Sequence, residues 1–502
     1  MNTKNKFLLS LMGILLLGSS CGEDFFNVDV TNVLTPDEAY DVMEADPSKL
    51  TSFVDAIYNV MVQFDLYSTY HDAFGFMAIL HAGDMMTDDI LMNKLHWFNY
   101  DYLHDNREWT YRRTNVCWIY MYTVINNANN VLDMISPDTD SPDILRYRGQ
   151  CLALRGFAYY YLIQLYQHVY PYVSAGTDAP GVPLYFANNE GKENIFGRAP
   201  VSVVLAQIED DLKAAVEALE QAPARSSKNN IDVHVANGLL ARYYLLTQQW
   251  QKAYDAATAA LDGYSVMPAS RLGDGFMNIA DAAVMWGFDH NSETTTLYAS
   301  FFSHISNLTG GYSGLNYACR MIDRRLYDQI PATDARKQLF QNPEGTIDAS
   351  DRASSSAVAW QLPYANIKFG YDGEFTMDYT YMRADEMVLI QAEALAQQGQ
   401  GALAAQALKK LMEERDPAWN ATSVTAEDVY LQRRIELWGE GFGYYDLKRL
   451  NKGIDRTTEG SLHDPALGGK IAVPALDKRW IYQIPESEIR ENAEISPEEN
   501  NE

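Results

Sequence analysis

The chain has 502 residues, of which 67 are acidic and 39 basic, giving a net charge of −28. Nucleic acids and anionic headgroups are held by lysine and arginine, so this balance argues against either as the main partner. The length allows a large buried core and more than one ordinary domain's worth of chain.

In chain order, Lys4 and Lys6 precede an apolar run from Phe7 to Leu17, followed by the small residues Gly18, Ser19 and Ser20. That is the pattern of a cleaved export signal over residues 1–20. The run falls short of the roughly 20 apolar residues that span a bilayer as a helix. Cys21 comes directly after the small residues and looks like the lipid-attachment site of a bacterial lipoprotein. The leucine usual three residues before such a cysteine is replaced by Gly18. Three cysteines remain beyond it, Cys117, Cys151 and Cys319, each among apolar or aromatic neighbours. An odd number cannot pair fully, so buried free thiols are expected, with one bridge at most.

Residues 21–50 read as a lipidated tether and first segment, with Gly22, Glu23 and Asp24 at its start. Thr35, Pro36 and Glu38 form a capping-box helix start. The body, residues 51–502, is dominated by helical spacing. Helices are expected over 115–134, 146–166 and 200–219, the last from Val201, Val204, Leu205, Ile208, Leu212 and Leu219. Ala236, Leu240 and Tyr243 mark a helix face, and Trp250, Ala253, Tyr254, Ala257 and Leu261 another, only a few residues apart. The two must pack antiparallel, their alanines allowing close approach, as in tetratricopeptide repeats. A second such pair is expected at 384–412, with Met387, Ile390 and Ala394 on one helix, Leu403, Ala407 and Leu411 on the other, and a break at Gly399 and Gly401. Because the pairs lie far apart in sequence, an uninterrupted solenoid is not expected. Between about 263 and 380 helical period is lost, and aromatic residues stand among Gly, Asn, Ser and Asp. Long irregular segments of this kind usually carry function. Within it, Val284–Phe288 reads as a buried strand-like run that takes Trp286 into the core.

Few constellations suggest catalysis. Glu436 and Glu440 lie four residues apart on one helix face, a spacing that could serve glycoside hydrolysis. Nearby Arg433, Arg434, Lys448 and Arg449 make ion pairing the simpler reading. His71, His81, His96 and His104 occur near Asp72, Asp84, Asp88 and Asp89, but without any recognised metal-ligand spacing. They read as solvated loop residues, and neither metal nor cofactor is expected. The run Gly310–Gly314 is a flexible turn rather than a phosphate cradle. His96-Trp97-Phe98-Asn99-Tyr100, bordered by Asp101 and Asp105, has the chemistry of a sugar site: rings for C–H faces and amides for hydroxyls. Core anchoring by Trp97 and Phe98 accounts for the same residues equally well.

Several short motifs in order resemble the SusD/RagB family of outer-membrane nutrient-binding lipoproteins. They include Cys21; Trp118-Ile119-Tyr120 leading to Asn126–Asn129; Leu154-Arg155-Gly156; Ile208–Leu212; and Thr333–Arg336. Further on come Arg383, Ala392-Glu393-Ala394, Arg434 with Glu436 and Glu440, Asp446–Arg449 and Tyr482–Pro485. Gly443 departs from the arginine usual in the family. The resemblance implies a mainly α fold, with tetratricopeptide-like helix pairs as a scaffold and a loop-rich ligand-binding face. It also implies a SusC-like TonB-dependent transporter as partner, an oligosaccharide ligand, and lipid-anchored display on the outer membrane without enzymatic activity. It places ligand contacts on loops that here carry Trp97, Asn99, Tyr100, Tyr312, Asn316 and Trp360. A peptide ligand on the same frame, or a surface glycosidase using Glu436 and Glu440, stands as the alternative.

Overall fold

A computed structural model describes residues 36–502, apart from Asp65, Tyr67 and Ser68. The export signal, Cys21, most of the tether and Thr35 lie outside the described residues; the first described helix, α1, runs Pro36–Ala45. The chain is mostly helical. The helices that build the frame are α2 (Leu50–Val60), α3 (Phe76–Met85), the short α4 (Asn99–Tyr102), α5 (Arg112–Leu132) and α6 (Pro142–Tyr166). They continue with α7 (Val201–Glu220), α8 (Val233–Leu246), α9 (Trp250–Ala260), α10 (Ala384–Gln397), α11 (Gly401–Met412), α12 (Ala426–Glu436) and α13 (Gly443–Arg449).

Local chemistry sets several of these boundaries. Pro142 opens α6, where a missing N–H costs nothing. Asp232 caps α8 by accepting from Val235 N at 2.9 Å. Thr425 and Asp428 form a reciprocal capping box at α12. Gly399 takes a left-handed φ of 74° in the turn between α10 and α11, while Gly401 is already the first residue of α11.

Helices α5 to α9 stack in sequence, each against the next, and α9 then packs directly on α10. The helical layer is therefore continuous in space although residues 261–383 separate α9 from α10 in the chain. The expected face of α8 and α9 is buried: Ala236, Ala253 and Ala257 have no exposed surface and Leu240 almost none. Gly238 on α8 lies against Met382, whose Sδ an added Cβ would meet at 2.3 Å. In α11 the inward residues are Ala404, Leu408 and Leu411, whereas Leu403 is 50% exposed. Leu403 and Ala404 are adjacent, and a helix turns about 100° per residue, so only one can face α10.

Among the described residues, three short antiparallel strand pairs complete the frame. β1 (Ile90–Met92) pairs with β3 (Arg320–Ile322), matching Ile90 to Ile322 and Met92 to Arg320. β2 (Val284–Phe288) pairs with β4 (Tyr379–Arg383), and Trp286 on it is fully buried, as its run indicated. β5 (Ile454–Asp455) pairs with β6 (Ala472–Val473). Cys117, Cys151 and Cys319 are free and buried. Gly443 has no room for a side chain, because a Cβ there would meet Thr87 Cγ2 at 2.7 Å.

The crossing of α8 and α9 yields a direct test. Ala253→Trp overpacks it and should cost about 1–3 kcal/mol or more. Chemical denaturation checks this, and an unchanged midpoint would contradict the buried crossing.

Candidate binding site

The β1–β3 pairing determines where the candidate residues meet. It sets the segment after β1 beside the segment before β3, and side chains seal the junction. Asn93 Nδ2 donates to Asn316 Oδ1 at 2.7 Å, and Asn93 Oδ1 accepts from Cys319 N at 2.9 Å. Lys94 Nζ donates to the Asn316 carbonyl at 2.9 Å. Asn316 adopts a left-handed φ of 59°, which asparagine tolerates better than most residues. Phe98 also has a left-handed φ, 68°, and is buried edge-on to His81 at 4.7 Å. Phe98 is thus the core anchor of its segment, and Trp97 is left half-buried beside it.

Around Trp97 the rings form a cluster open to solvent. Tyr70 meets it at 6.1 Å, His71 at 5.8 Å, His96 at 5.8 Å and Tyr312 at 6.3 Å between centroids. Tyr312 continues the cluster to Tyr298 at 5.3 Å, His96 at 4.9 Å and Tyr317 at 6.1 Å. Its hydroxyl is hydrogen-bonded to His71 Nδ1 at 2.7 Å, which fixes the ring. Most rings lie tilted or edge-on, so together they form a curved surface rather than a flat one. Tyr70 is 52% exposed and Tyr317 53%, with Tyr298 and Leu297 also exposed. Contiguous exposed apolar surface of this kind marks binding sites on soluble proteins.

Tyr70 joins this platform to a neighbouring cleft. The Arg112 guanidinium stands over the Tyr70 ring at 4.5 Å and pairs with Asp72 at 2.8 Å. The cleft has a volume of about 360 Å³ and is lined by Tyr100, Asp101, Asn106, Tyr111 and Arg112, among others. Its floor is locked: buried Arg113 donates to both oxygens of Asp101, at 3.1 and 3.0 Å, and to Asp72 Oδ2 at 3.2 Å.

Of the six residues proposed from sequence, Trp97, Tyr312 and Asn316 are brought together at the platform. Asn99 follows as the first residue of α4, and Tyr100, 57% exposed, stands at the cleft. Trp360 is not brought to them. It is only 9% exposed and packs in a separate cluster with Leu308, Ala349, Ala357 and Ile367. Sequence reasoning did not single out Tyr70, His71, Tyr298 and Tyr317 for this cluster, whose ring contacts join residues far apart in the chain.

Two of the four histidines depart from their reading as solvated loop residues. His81 and His104 are buried. His81 Nε2 accepts from Arg320 Nε at 3.2 Å, and His104 Nε2 bonds the Met86 carbonyl at 2.7 Å. Burial, and then the charge of Arg456, pushes His104 down to about 3. The nearby acids are likewise taken: Asp84 accepts from Gly441 N at 2.7 Å, and Asp89 accepts from Arg434 Nε at 2.9 Å.

Glu436 and Glu440 lie at a different place, inside an ion network. Glu436 receives Arg383 at 2.8 Å, Arg415 at 2.8 Å and Arg336 at 3.3 Å. Glu440 receives Arg383 at 2.8 Å and Lys368 at 2.5 Å. Burial alone would raise Glu436, but Arg415, Arg383 and Arg336 overcome it and hold the carboxyl well below its ordinary range. Arg383 and Lys368 likewise lower Glu440 against its burial. Neither group is free to act as the general acid of a glycosidase, and the pair is structural.

These acids release their protons more readily in the folded than in the unfolded protein. Their stabilisation is therefore full above the unfolded carboxylate range and is lost as pH falls through the depressed folded values. Arg383→Met should leave buried carboxylates under-compensated, cost about 3–5 kcal/mol, and move acid unfolding to higher pH. Denaturation across an acid series checks both effects; unchanged stability and acid midpoint would contradict the assignment.

Comparison with known proteins fits this architecture. Residues 36–245 match a family model described as starch-binding associating with outer membrane, and residues 370–501 match the SusD family model. The chain belongs to the SusD family. A SusD-like protein P2 from Formosa agariphila is 23% identical over 377 residues, covering 67% of this chain and 71% of the relative. A crystal structure of a SusD-like carbohydrate binding protein from Bacteroides vulgatus superposes with a TM-score of 0.75 at 25% identity, over 91% of this chain and 98% of that one. A SusD superfamily protein from Bacteroides thetaiotaomicron gives a TM-score of 0.69 at 19% identity, over 93% and 100%.

Proposed function

We propose that this SusD-family protein is a lipid-anchored cell-surface protein that captures oligosaccharides on the Trp97–Tyr312 platform and delivers them to a SusC-like TonB-dependent outer-membrane transporter. The observation that carries the reading is the curved, solvent-facing set of rings formed by Tyr70, Trp97, Tyr298, Tyr312 and Tyr317. The C–H face of a sugar leaves water against such rings, and nearby Asn316 and Asn93 supply partners for its hydroxyls. The description of the Bacteroides vulgatus relative as carbohydrate binding supports the same chemistry. A peptide ligand is less well served, because peptide capture commonly adds a strand to an exposed sheet edge. Here β1 and β3 are three residues each, and β1 is fully buried.

The membrane part of the reading rests on Cys21 and on the outer-membrane association in the family model's description. Among the described residues no helix is long and apolar enough to cross a membrane, which suits a lipid tether. Cys21→Ala should move the protein from the membrane to the soluble fraction, as followed by fractionation and surface labelling. Retention of the variant at the membrane would contradict lipid anchoring.

For the site, Trp97→Ala and Tyr312→Ala should each cost on the order of 2 kcal/mol in oligosaccharide binding, about thirtyfold in affinity. Calorimetric titration of variants shown to be folded checks this. Wild-type affinity in both would contradict the placement of the site.

A further inference from the structure

Directly behind the platform lies a cation without a counter-charge. Arg320, on β3, is buried; its guanidinium donates to His81 Nε2 at 3.2 Å, to the Ala318 carbonyl at 2.7 Å and to the Trp97 carbonyl at 3.4 Å. Among the described residues it meets no carboxylate. Buried Arg113, Arg155, Arg242, Arg336, Arg383 and Arg415 all do. Arg456 shares the lack, with its guanidinium held by the carbonyls of Tyr102, Met85 and Thr87. A buried charge without its opposite is costly, and its field is poorly screened by the surrounding protein.

The groups around it do not cancel that field. Burial, and then Arg320 itself, holds His81 and His96 below their ordinary range, and His304 is pushed down to about 3. Asp72 and Asp101 are taken up by Arg112 and Arg113. On the solvent side, Lys94 is exposed at the rim, donates to the Asn316 carbonyl, and has no acid partner among the described residues. Asp105 is an exposed acid of this region, beyond Tyr100, whose carbonyl its N–H meets at 2.9 Å. In a chain of net charge −28, Arg320 and Lys94 are two cations on this face that meet no carboxylate among the described residues.

Resting on the reading of the platform as a glycan site, we infer that its ligand is an anionic glycan whose carboxylate or sulfate ester lies at the Lys94 rim, above Arg320. The aromatic rings hold the sugar faces, Lys94 contacts the anion, and Arg320 acts through the ring layer without touching it. At physiological salt the screening length is about 8 Å, so the distant acidic surface opposes such a ligand less than the nearby cations attract it.

The test uses purified mature protein and matched probes: oligogalacturonides with their carboxyl-reduced counterparts, and sulfated galactan oligosaccharides with their desulfated counterparts. Calorimetry at low and high salt should show one acidic member binding about tenfold tighter than its neutral counterpart, with the advantage shrinking as salt rises. Whether the carboxylate or the sulfate pair responds identifies the anion. Lys94→Gln, at an exposed position that leaves the core intact, should weaken the acidic probe by about three- to fivefold and leave the neutral one unchanged. Equal or tighter binding of the neutral counterparts, or no effect of Lys94→Gln on the acidic probe, overturns the inference. If neutral probes bind and Trp97→Ala removes that binding, the glycan site stands and only the anionic preference falls. If Trp97→Ala leaves the affinity of a bound probe unchanged, the site reading falls with it; if no probe binds, the anionic inference falls alone.

Discussion

The structure depends on arginines buried against carboxylates contributed by distant segments. Glu436, at the end of α12, gathers Arg383 from the end of β4, Arg415 from beyond α11 and Arg336 from the irregular region. Lys368, also from that region, closes on Glu440 and on the carbonyls of Glu436 and Trp438. A long segment with little regular structure is thereby clamped to the helical layer by groups that cannot be left unpaired. Removing one partner from such a network costs far more than a surface ion pair would, because the remaining charge has no water to return to.

The same logic recurs through the frame. Arg155 of α6 joins Asn129 of α5, Glu190 and Asp211 of α7 at 2.7–2.9 Å. Arg449 of α13 ties Asp446 to Glu393 of α10. With the frame held in this way, the β1–β3 pairing can carry residues in left-handed conformations, Phe98 and Asn316, at the place where rings are presented to solvent. Conformations of this kind persist where surrounding structure over-determines them, and here they lie beside the candidate site. Rigid support from below and exposed rings above are what a preorganised binding surface requires.

How much of this could be read from the sequence follows from the same division. The helices were legible because spacing reports burial directly, and residues 112–166, 201–220 and 233–260 follow their expected pattern closely. Motif residues such as Arg155, Asp211, Glu393, Glu436 and Arg449 were legible as a set because they are the frame's ion pairs. Spacing could not decide between Leu403 and Ala404, neighbours of similar polarity. Nor could it show that α9 packs on α10, since that contact crosses residues 261–383. At the candidate site, amide and aromatic neighbours mark Trp97 as a candidate, but Trp360 has a comparable setting and lies packed away. Tyr70 and Tyr298 carry no local signal at all; their exposure is a property of the assembled surface. Arg320 carries no local signal either; only its surroundings show that no acid among the described residues reaches it.

The most direct test of the central claim is amide hydrogen exchange measured with and without a bound oligosaccharide. Protection is predicted around Tyr70 and His71, over residues 93–100 and over 297–317, with the outer face of α8 and α9 unchanged. Protection confined to the helical layer, with exchange in the platform segments unaltered, would contradict the account.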